Sequence, residues 1–143
     1  MMPISVLLVD DNSTFLRILQ EFLQQHHQSE VTVVGTANGS EEGLAQARAL
    51  QPQTVLLDLA MPNLTGLKAI PRLRRILPDV GIIALTLLDP IRYRQAALDA
   101  GADEFVSKTD LTTALVPAIT RVALADTPRQ AHRGKSAREG DQR

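Results

Sequence analysis

The sequence of 143 residues contains no cysteine and has no long apolar segment near its N-terminus. The absence of cysteine excludes disulfide bonds, thiolate metal sites and a cysteine nucleophile. The first apolar run, at residues 6–9, has no basic segment before it and is ended by Asp10 and Asp11. We therefore predict neither a signal peptide nor a membrane span, and we expect a cytoplasmic protein.

Hydrophobic residues make up 44% of the sequence and charged residues 22%, which is typical of a soluble globular protein. The length suits one domain with a sizeable core and is too short for two ordinary domains. Residues 126–143 hold five Lys or Arg, three acids and no Leu, Ile, Val or Phe. Because such a segment cannot offset the entropy of ordering, we predict a folded domain at 1–125 and a flexible basic tail or linker at 126–143.

Short runs of apolar and β-branched residues recur along the predicted domain. They predict five strands, at residues 5–10, 31–36, 54–58, 81–86 and 104–107. Segments with helical spacing lie between these runs. Strands that alternate with helices indicate an α/β fold, in which helices cover both faces of a parallel sheet.

The helices are predicted from their spacing and their end signals. The first has apolar residues at i, i+3, i+4, i+7 and i+8, which predicts one buried face made of Phe15, Ile18, Leu19, Phe22 and Leu23. Ser40, followed by two glutamates, is predicted to cap the second helix. Asp89 and Pro90 predict the start of the fourth helix, and Gly101 predicts its end.

Polar side chains end four of the five predicted strands. They are Asp10 and Asp11 after the first strand, Asp58 after the third, Thr86 after the fourth and Lys108 after the fifth. Each one alone has an ordinary explanation as a turn, cap or surface residue. In a parallel sheet, however, the carboxyl ends of the strands form the edge where ligands bind. Clustered acids with one cation and one hydroxyl are the ingredients of a divalent-metal and phosphoryl site.

Four segments in this order carry a family resemblance: "VLLVDDN", "VLLDLAMPNLTGL", "IIALT" and "AGADEFVSK". Through them, residues 4–125 resemble the receiver domain of two-component response regulators. The resemblance implies a flavodoxin-like (βα)5 fold, a doubly wound five-stranded parallel sheet in the order 2-1-3-4-5. The segment "VSKTDL" is most similar to receivers of the NarL/FixJ type, in which a linker joins the receiver to a helix-turn-helix DNA-binding domain.

The resemblance assigns Asp58 as the phosphoacceptor, which would take a phosphoryl group from a sensor histidine kinase or a phosphotransfer protein. It implies Mg²⁺ (or Mn²⁺), with Asp11 and Asp58 as direct ligands, Asp10 held through a water and the backbone carbonyl of Ala60 as a further ligand. The protein would not be an enzyme in the ordinary sense. It would be a phosphoacceptor that assists its own phosphoryl transfer and dephosphorylation.

The resemblance also assigns a switch. Lys108 and Thr86 would bind the phosphoryl oxygens, and the hydroxyl of Thr86 would move toward them. The ring of Phe105 would then turn into the space that the hydroxyl leaves. The resemblance implies that this change strengthens a homodimer, either through the fourth helix, fifth strand and fifth helix or through the first and fifth helices.

Three residues are predicted to set the lifetime of the aspartyl phosphate. Ala60 and Leu88 occupy the positions that flank the path of the attacking water in this family. Neither side chain can orient a water by hydrogen bonding, so we expect slow hydrolysis. Leu87 stands where most relatives have a small residue, and its bulk is expected to crowd the phosphoryl pocket.

Three further residues depart from the family pattern. Thr109 replaces the usual proline after Lys108, whose family counterpart precedes a cis bond. The Lys108–Thr109 bond is therefore either trans, with a shifted loop, or cis at a cost of about 2.5–4 kcal/mol. Pro71 and Pro117 fall inside the third and fifth predicted helices, and each should kink its helix or delay its start.

Several functions remain open at this point. The chain controls a DNA-binding output domain that is absent from this sequence, signals as a stand-alone receiver through protein contacts, or is a degenerate receiver that is never phosphorylated. No direct nucleic-acid binding by the receiver body is expected. A flavin carrier is disfavoured because Asp10 and Asp11 would repel the flavin phosphate. A phosphohydrolase is disfavoured because Ala60 stands where such enzymes have a second carboxylate.

Overall fold

The computed structural model describes residues 2–125, in which five strands alternate with five helices. The strands are β1 (Ile4–Val9), β2 (Val31–Ala37), β3 (Thr54–Leu57), β4 (Gly81–Thr86) and β5 (Glu104–Ser107). The helices are α1 (Ser13–His26), α2 (Ser40–Leu50), α3 (Gly66–Ile76), α4 (Pro90–Ala100) and α5 (Leu111–Leu124). A single turn of 3-10 helix, Lys108–Asp110, joins β5 to α5. All strand pairs are parallel and the order is β2-β1-β3-β4-β5, so the predicted fold is confirmed.

The sheet separates two hydrophobic cores, because successive side chains of a strand point to opposite faces. On one face Leu7 and Val9 of β1 pack in a first core that is covered by α2, α3 and α4. On the other face Val6 and Leu8 pack in a second core that is covered by α1 and α5. Each fully buried aliphatic side chain contributes about 1.5–3 kcal/mol to folding. Because the central strands are buried on both faces of the sheet, their sequences are continuous apolar runs.

Two predictions about helix residues are wrong. Ile18 is 53% exposed, and Leu16 instead points into the second core, because the buried stripe of α1 is rotated about the helix axis relative to the predicted apolar face. Ser40 is the first residue of α2, and the N-cap is Gly39. The hydroxyl of Ser40 is buried and has no hydrogen-bond partner among residues 2–125. The start of α4 is confirmed, since the side chain of Asp89 accepts a hydrogen bond from the backbone N–H of Ile91.

Both helices that contain a proline start several residues before it and continue beyond it. The predicted delayed start is therefore wrong, because each ring fits helical φ and removes only one backbone hydrogen bond. A kink at Pro71 or Pro117 stays a prediction. No peptide bond is cis within residues 2–125, so the Lys108–Thr109 bond is trans. The chain turns there by a 3-10 turn, in which the Ser107 hydroxyl accepts from the backbone N–H of Thr109.

The strand ends bring the predicted site residues to one edge. Strands β1 and β3 end one residue earlier than predicted, at Val9 and Leu57, and these two residues pair in register. Asp10 and Asp58 therefore follow neighbouring positions at the carboxyl edge of the sheet. In residues 2–125 no helix is long and apolar enough to cross a membrane. The predicted tail at 126–143 lies outside the described residues.

Candidate functional site

Three carboxylates meet at the carboxyl edge of the sheet. Asp10 and Asp58 are buried and Asp11 is exposed. One oxygen from each of the three lies within 4.8 Å of the others. The backbone N–H of Asn12 donates to Oδ1 of Asp10 at 2.9 Å, and that of Ala60 approaches Oδ1 of Asp58 at 3.4 Å. These contacts orient the two buried carboxylates.

Among the described residues, Lys108 is the only cationic residue that forms an ion pair with these acids. Its Nζ donates to Oδ2 of Asp10 at 2.5 Å and lies 3.9 Å from Oδ2 of Asp58. Its side chain is only 10% exposed. Three carboxylates against one ammonium leave an excess of negative charge at a site where two of the three acids are buried. Oxygen donors with such an excess are suited to a hard divalent cation.

The pKa of Asp58 is raised above its ordinary value. Burial is the main cause, because it disfavours the charged form, and the neighbouring carboxylate of Asp10 adds to it. Lys108, the backbone N–H of Ala60 and the hydroxyl of Thr86 lower the pKa in part. The ionised carboxylate is therefore held in an unfavourable setting, which a positive charge or a covalent bond on its oxygen would relieve.

The structure places the predicted switch residues on neighbouring strands. Thr86, the last residue of β4, is 1% exposed, and its hydroxyl accepts from the backbone N–H of Leu88 at 3.2 Å. Phe105 is buried in the first core and pairs with Ala84, two residues before Thr86. The side chains of Ala84 and Thr86 share one face of the sheet. The guanidinium of Arg94, from α4, lies 5.4 Å from the centre of the Phe105 ring.

The three residues predicted to set the lifetime have different environments. Leu87 is 71% exposed, so the expectation that its bulk crowds the pocket is not supported. The chain turns after β4, and this turns Leu87 outward while Leu88 packs partly against the first core. Ala60 is exposed beside Asp58. No polar side chain is present at either of the two flanking positions, as the sequence shows.

Two residues of the site were not found from the sequence. The ring of Phe15 lies over the Lys108 ammonium, with Nζ 4.1 Å from the ring centre. Its helical spacing predicted burial and carried no signal for this contact. Gly66, the first residue of α3, lies against the backbone of Asp58, and a Cβ atom there would come within 1.9 Å of the Asp58 carbonyl oxygen. Only the packing of α3 on the loop shows that a side chain is excluded.

Comparisons with known proteins agree with this geometry. The family described as the response regulator receiver domain matches residues 6–120. The response regulator protein VraR of Staphylococcus aureus is 33% identical over 138 residues, which are 96% of this chain and 61% of VraR. The chain thus spans less than two thirds of the length of this curated relative.

Two solved structures are similar in fold and sequence. The signal receiver domain of the response regulator NarL from Mycobacterium tuberculosis is 27% identical with a TM-score of 0.78, covering 86% of this chain and 98% of that one. A response regulator from Burkholderia pseudomallei, solved with a phosphorylated aspartic acid, a calcium ion and citrate, is 28% identical with a TM-score of 0.67. That similarity covers 94% of this chain and 74% of the other.

Proposed function

The chain belongs to the family of response regulator receiver domains of two-component systems, and from this premise we propose that Asp58 is its phosphoacceptor. The observation that carries the proposal is the position of Asp58, a buried carboxylate inside a three-acid cluster with the Lys108 ammonium 3.9 Å away. A sensor histidine kinase or a phosphotransfer protein would supply the phosphoryl group, in the cytoplasm. A carboxylate oxygen of Asp58 would form the new bond to phosphorus as the bond to the donor histidine nitrogen breaks.

The acid cluster fits a Mg²⁺ or Mn²⁺ ion. Asp11 and Asp58 would be direct ligands, Asp10 would act through a water, and the Ala60 carbonyl would complete the protein's share. The close oxygens, the excess negative charge and the raised pKa of Asp58 support this assignment. When bound, the ion would neutralise charge on the phosphoryl oxygens during transfer. The calcium ion in the Burkholderia pseudomallei relative is consistent with a divalent site.

Lys108 and Thr86 would bind the new phosphoryl oxygens. The ammonium is close enough to Asp58 to reach such oxygens by a small shift from Asp10. The Thr86 hydroxyl, which accepts from the backbone N–H of Leu88, would move to donate to the phosphoryl group, and this movement would break its contact with Leu88. Loss of that contact would free the loop after β4 and the space next to the ring of Phe105, so that a local charge change would alter the surface of α4, β5 and α5.

The lifetime of the phosphorylated state would depend on Ala60 and Leu88. Neither can orient a water opposite the carboxylate oxygen, so hydrolysis is expected to be slow. In this role the protein is a phosphoacceptor that assists its own phosphoryl transfer and dephosphorylation, and it does not turn over a separate substrate.

The output would lie outside the receiver. We assign residues 1–125 to the receiver and 126–143 to a linker, and we propose that the receiver controls a DNA-binding output domain. The support is that VraR extends well beyond the matched part.

Phosphorylation would strengthen a homodimer. Sedimentation with and without a beryllofluoride phosphoryl mimic tests the dimer. The alternative to a DNA-binding output is a stand-alone receiver that signals through protein contacts.

Phosphoryl labelling tests the proposed function directly. Incubation with acetyl phosphate and Mg²⁺ should add the mass of one phosphoryl group. Asp58→Asn should abolish the addition, and Asp11→Ala should reduce it strongly by removing a metal ligand. Asp99→Asn, at an exposed acid of α4, is the matched control and should label like the unaltered chain. Full labelling of Asp58→Asn would show that the assignment is wrong, and no labelling of the unaltered chain would indicate a degenerate receiver.

A further inference from the structure

The Lys108 ammonium is enclosed on three sides. Asp10 accepts a hydrogen bond from Nζ at 2.5 Å, the nearest Asp58 oxygen lies at 3.9 Å, and the centre of the Phe15 ring lies at 4.1 Å. An ammonium within about 6 Å of a ring centre is attracted to the negative face of the ring. The attraction is strongest where water is excluded, and the Lys108 side chain is nine-tenths buried.

Phe15 is held at the start of α1 and against the second core. Phe15 lies in the first turn of α1, and its backbone N–H donates to the Asn12 side chain that caps the helix. The ring is half-buried and packs against the second core. Lys108, in contrast, has a flexible four-carbon stem with many rotamers. The lysine has more rotamers to lose than the ring, so the contact restricts mainly the lysine.

We propose that Phe15 is a positioning residue for phosphoryl transfer, whose ring face holds the Lys108 ammonium beside Asp58. The inference rests on the proposed function, in which Lys108 binds the phosphoryl oxygens. A charge that needs only a small shift from Asp10 requires little reorganisation when negative charge develops on the transferring group. The ring suits this purpose because it attracts the ammonium without adding another negative charge to the site, and the N–H groups that Asp10 does not accept can turn to the phosphoryl oxygens.

Changing the electron density of the Phe15 ring distinguishes attraction between the ring and the ammonium from simple packing. Phenylalanine carrying one, two or three ring fluorines at position 15 keeps nearly the same shape while the negative face of the ring weakens. The rate of Asp58 labelling by acetyl phosphate at saturating Mg²⁺ should fall stepwise along the series, by about ten-fold at three fluorines. The same series at Phe22 is the matched control. That ring also lies on α1 and packs against the second core, but its ring partners are His26 and His27, so the rate should stay constant.

A second readout reports the contact without phosphorylation. The chain has only three lysines, so lysine side chains labelled with ¹³C give few NMR signals. The ε-methylene signal of Lys108 should show a ring-current shift that Phe15→Leu removes, while the signal of exposed Lys68 stays unchanged. A Lys108 signal that Phe15→Leu does not move would overturn the inference.

The two proposals fail in different ways. If the unaltered chain is not labelled at Asp58, the proposed function is wrong and the role of Phe15 in transfer is wrong with it. If labelling occurs but its rate is constant along the position-15 series, only the inference about Phe15 is wrong. A rate that rises with fluorination would also overturn it, because the ring would then be holding Lys108 back on Asp10.

Discussion

Gly66 and Asp58 touch through their backbones. The first turn of α3 lies so close to the loop after β3 that a Cβ on Gly66 would come within 1.9 Å of the Asp58 carbonyl oxygen and 2.8 Å of the Leu59 Cα. The backbone N–H of Gly66 also donates to the Leu59 carbonyl at 3.1 Å. The absence of a side chain at position 66 therefore lets α3 support the loop that carries the central carboxylate of the site.

We expect Gly66→Ala to lower the free energy of unfolding by about 2–4 kcal/mol, because backbone atoms cannot move aside as a flexible side chain can. Urea denaturation measures this change. Gly39→Ala is the matched control: Gly39 has extended backbone, and within residues 2–125 no heavy atom outside its neighbours lies within 4 Å of its Cβ position. That substitution should cost about 1 kcal/mol or less, through the weaker helix cap. Equal costs at the two glycines would contradict the steric argument.

Asp103 joins α3 to the sheet at the edge opposite the site. Its Oδ2 accepts from Arg74 at 3.0 Å and from the backbone N–H of Ile82 at 2.9 Å, and both members of the ion pair are largely buried. Asp103→Asn should therefore lower the free energy of unfolding by about 2–3 kcal/mol, since the Arg74 charge loses its buried counter-charge. The control is Glu104→Gln, which breaks a bidentate pair with Arg121, whose side chain is mostly exposed. It should cost about 1 kcal/mol or less. Thermal unfolding of both variants measures which substitution destabilises the protein more.

Asp58→Asn should stabilise the metal-free protein at neutral pH by about 1 kcal/mol. The folded-state pKa of Asp58 is raised by burial and by Asp10, so the folded chain holds this proton more tightly than the unfolded chain. The ionised group thus weakens the fold above its folded pKa, and this penalty disappears as the pH falls toward the unfolded value of about 3.9. The advantage of Asn should disappear over the same range. Unfolding in the presence of a chelator, as a function of pH, measures it.

The exposed Asp11 gives the control for this pH dependence. Asp11→Asn should change the stability of the metal-free protein by less than about 0.5 kcal/mol. Saturating Mg²⁺ should stabilise the unaltered chain and reduce the advantage of Asp58→Asn, because binding to the folded state is linked to stability. A metal-free Asp58→Asn variant that is less stable than the unaltered chain at pH 7 would argue against the electrostatic penalty.

The lifetime of the aspartyl phosphate should shorten when a polar side chain is placed beside it. We expect Ala60→Asn and Leu88→Glu to speed phosphate loss from labelled protein several-fold, since each can orient the attacking water. Leu87→Ala should leave the rate unchanged, because Leu87 is mostly in solvent. If both polar substitutions slow hydrolysis or leave it unchanged, the account of the lifetime is wrong. A faster rate in Leu87→Ala would restore a role for that side chain.

The sequence by itself determined the features that depend on local chemistry. Continuous apolar runs mark strands that are buried on both faces, and all five predicted strands end within one residue of the observed ends. Asp89 and Pro90 start α4 because a capping carboxylate and a fixed φ act within one turn of chain. The three acids and Lys108 could be placed at one edge because parallel strands share the direction of their ends.

Where several residues have similar chemistry, only the tertiary structure decided which of them is buried, which caps a helix and which contacts the site. Spacing grouped Ile18 with the core residues of α1, but the rotation of the helix about its axis, as it packs on the sheet, excludes Ile18 and includes Leu16. Ser40 has the chemistry of a cap, yet the path of the chain leaving β2 gives that position to Gly39. The contacts of Gly66 with Asp58 and of Phe15 with Lys108 join residues that are distant in the chain. Such contacts depend on how the helices pack on the sheet, which no local pattern encodes.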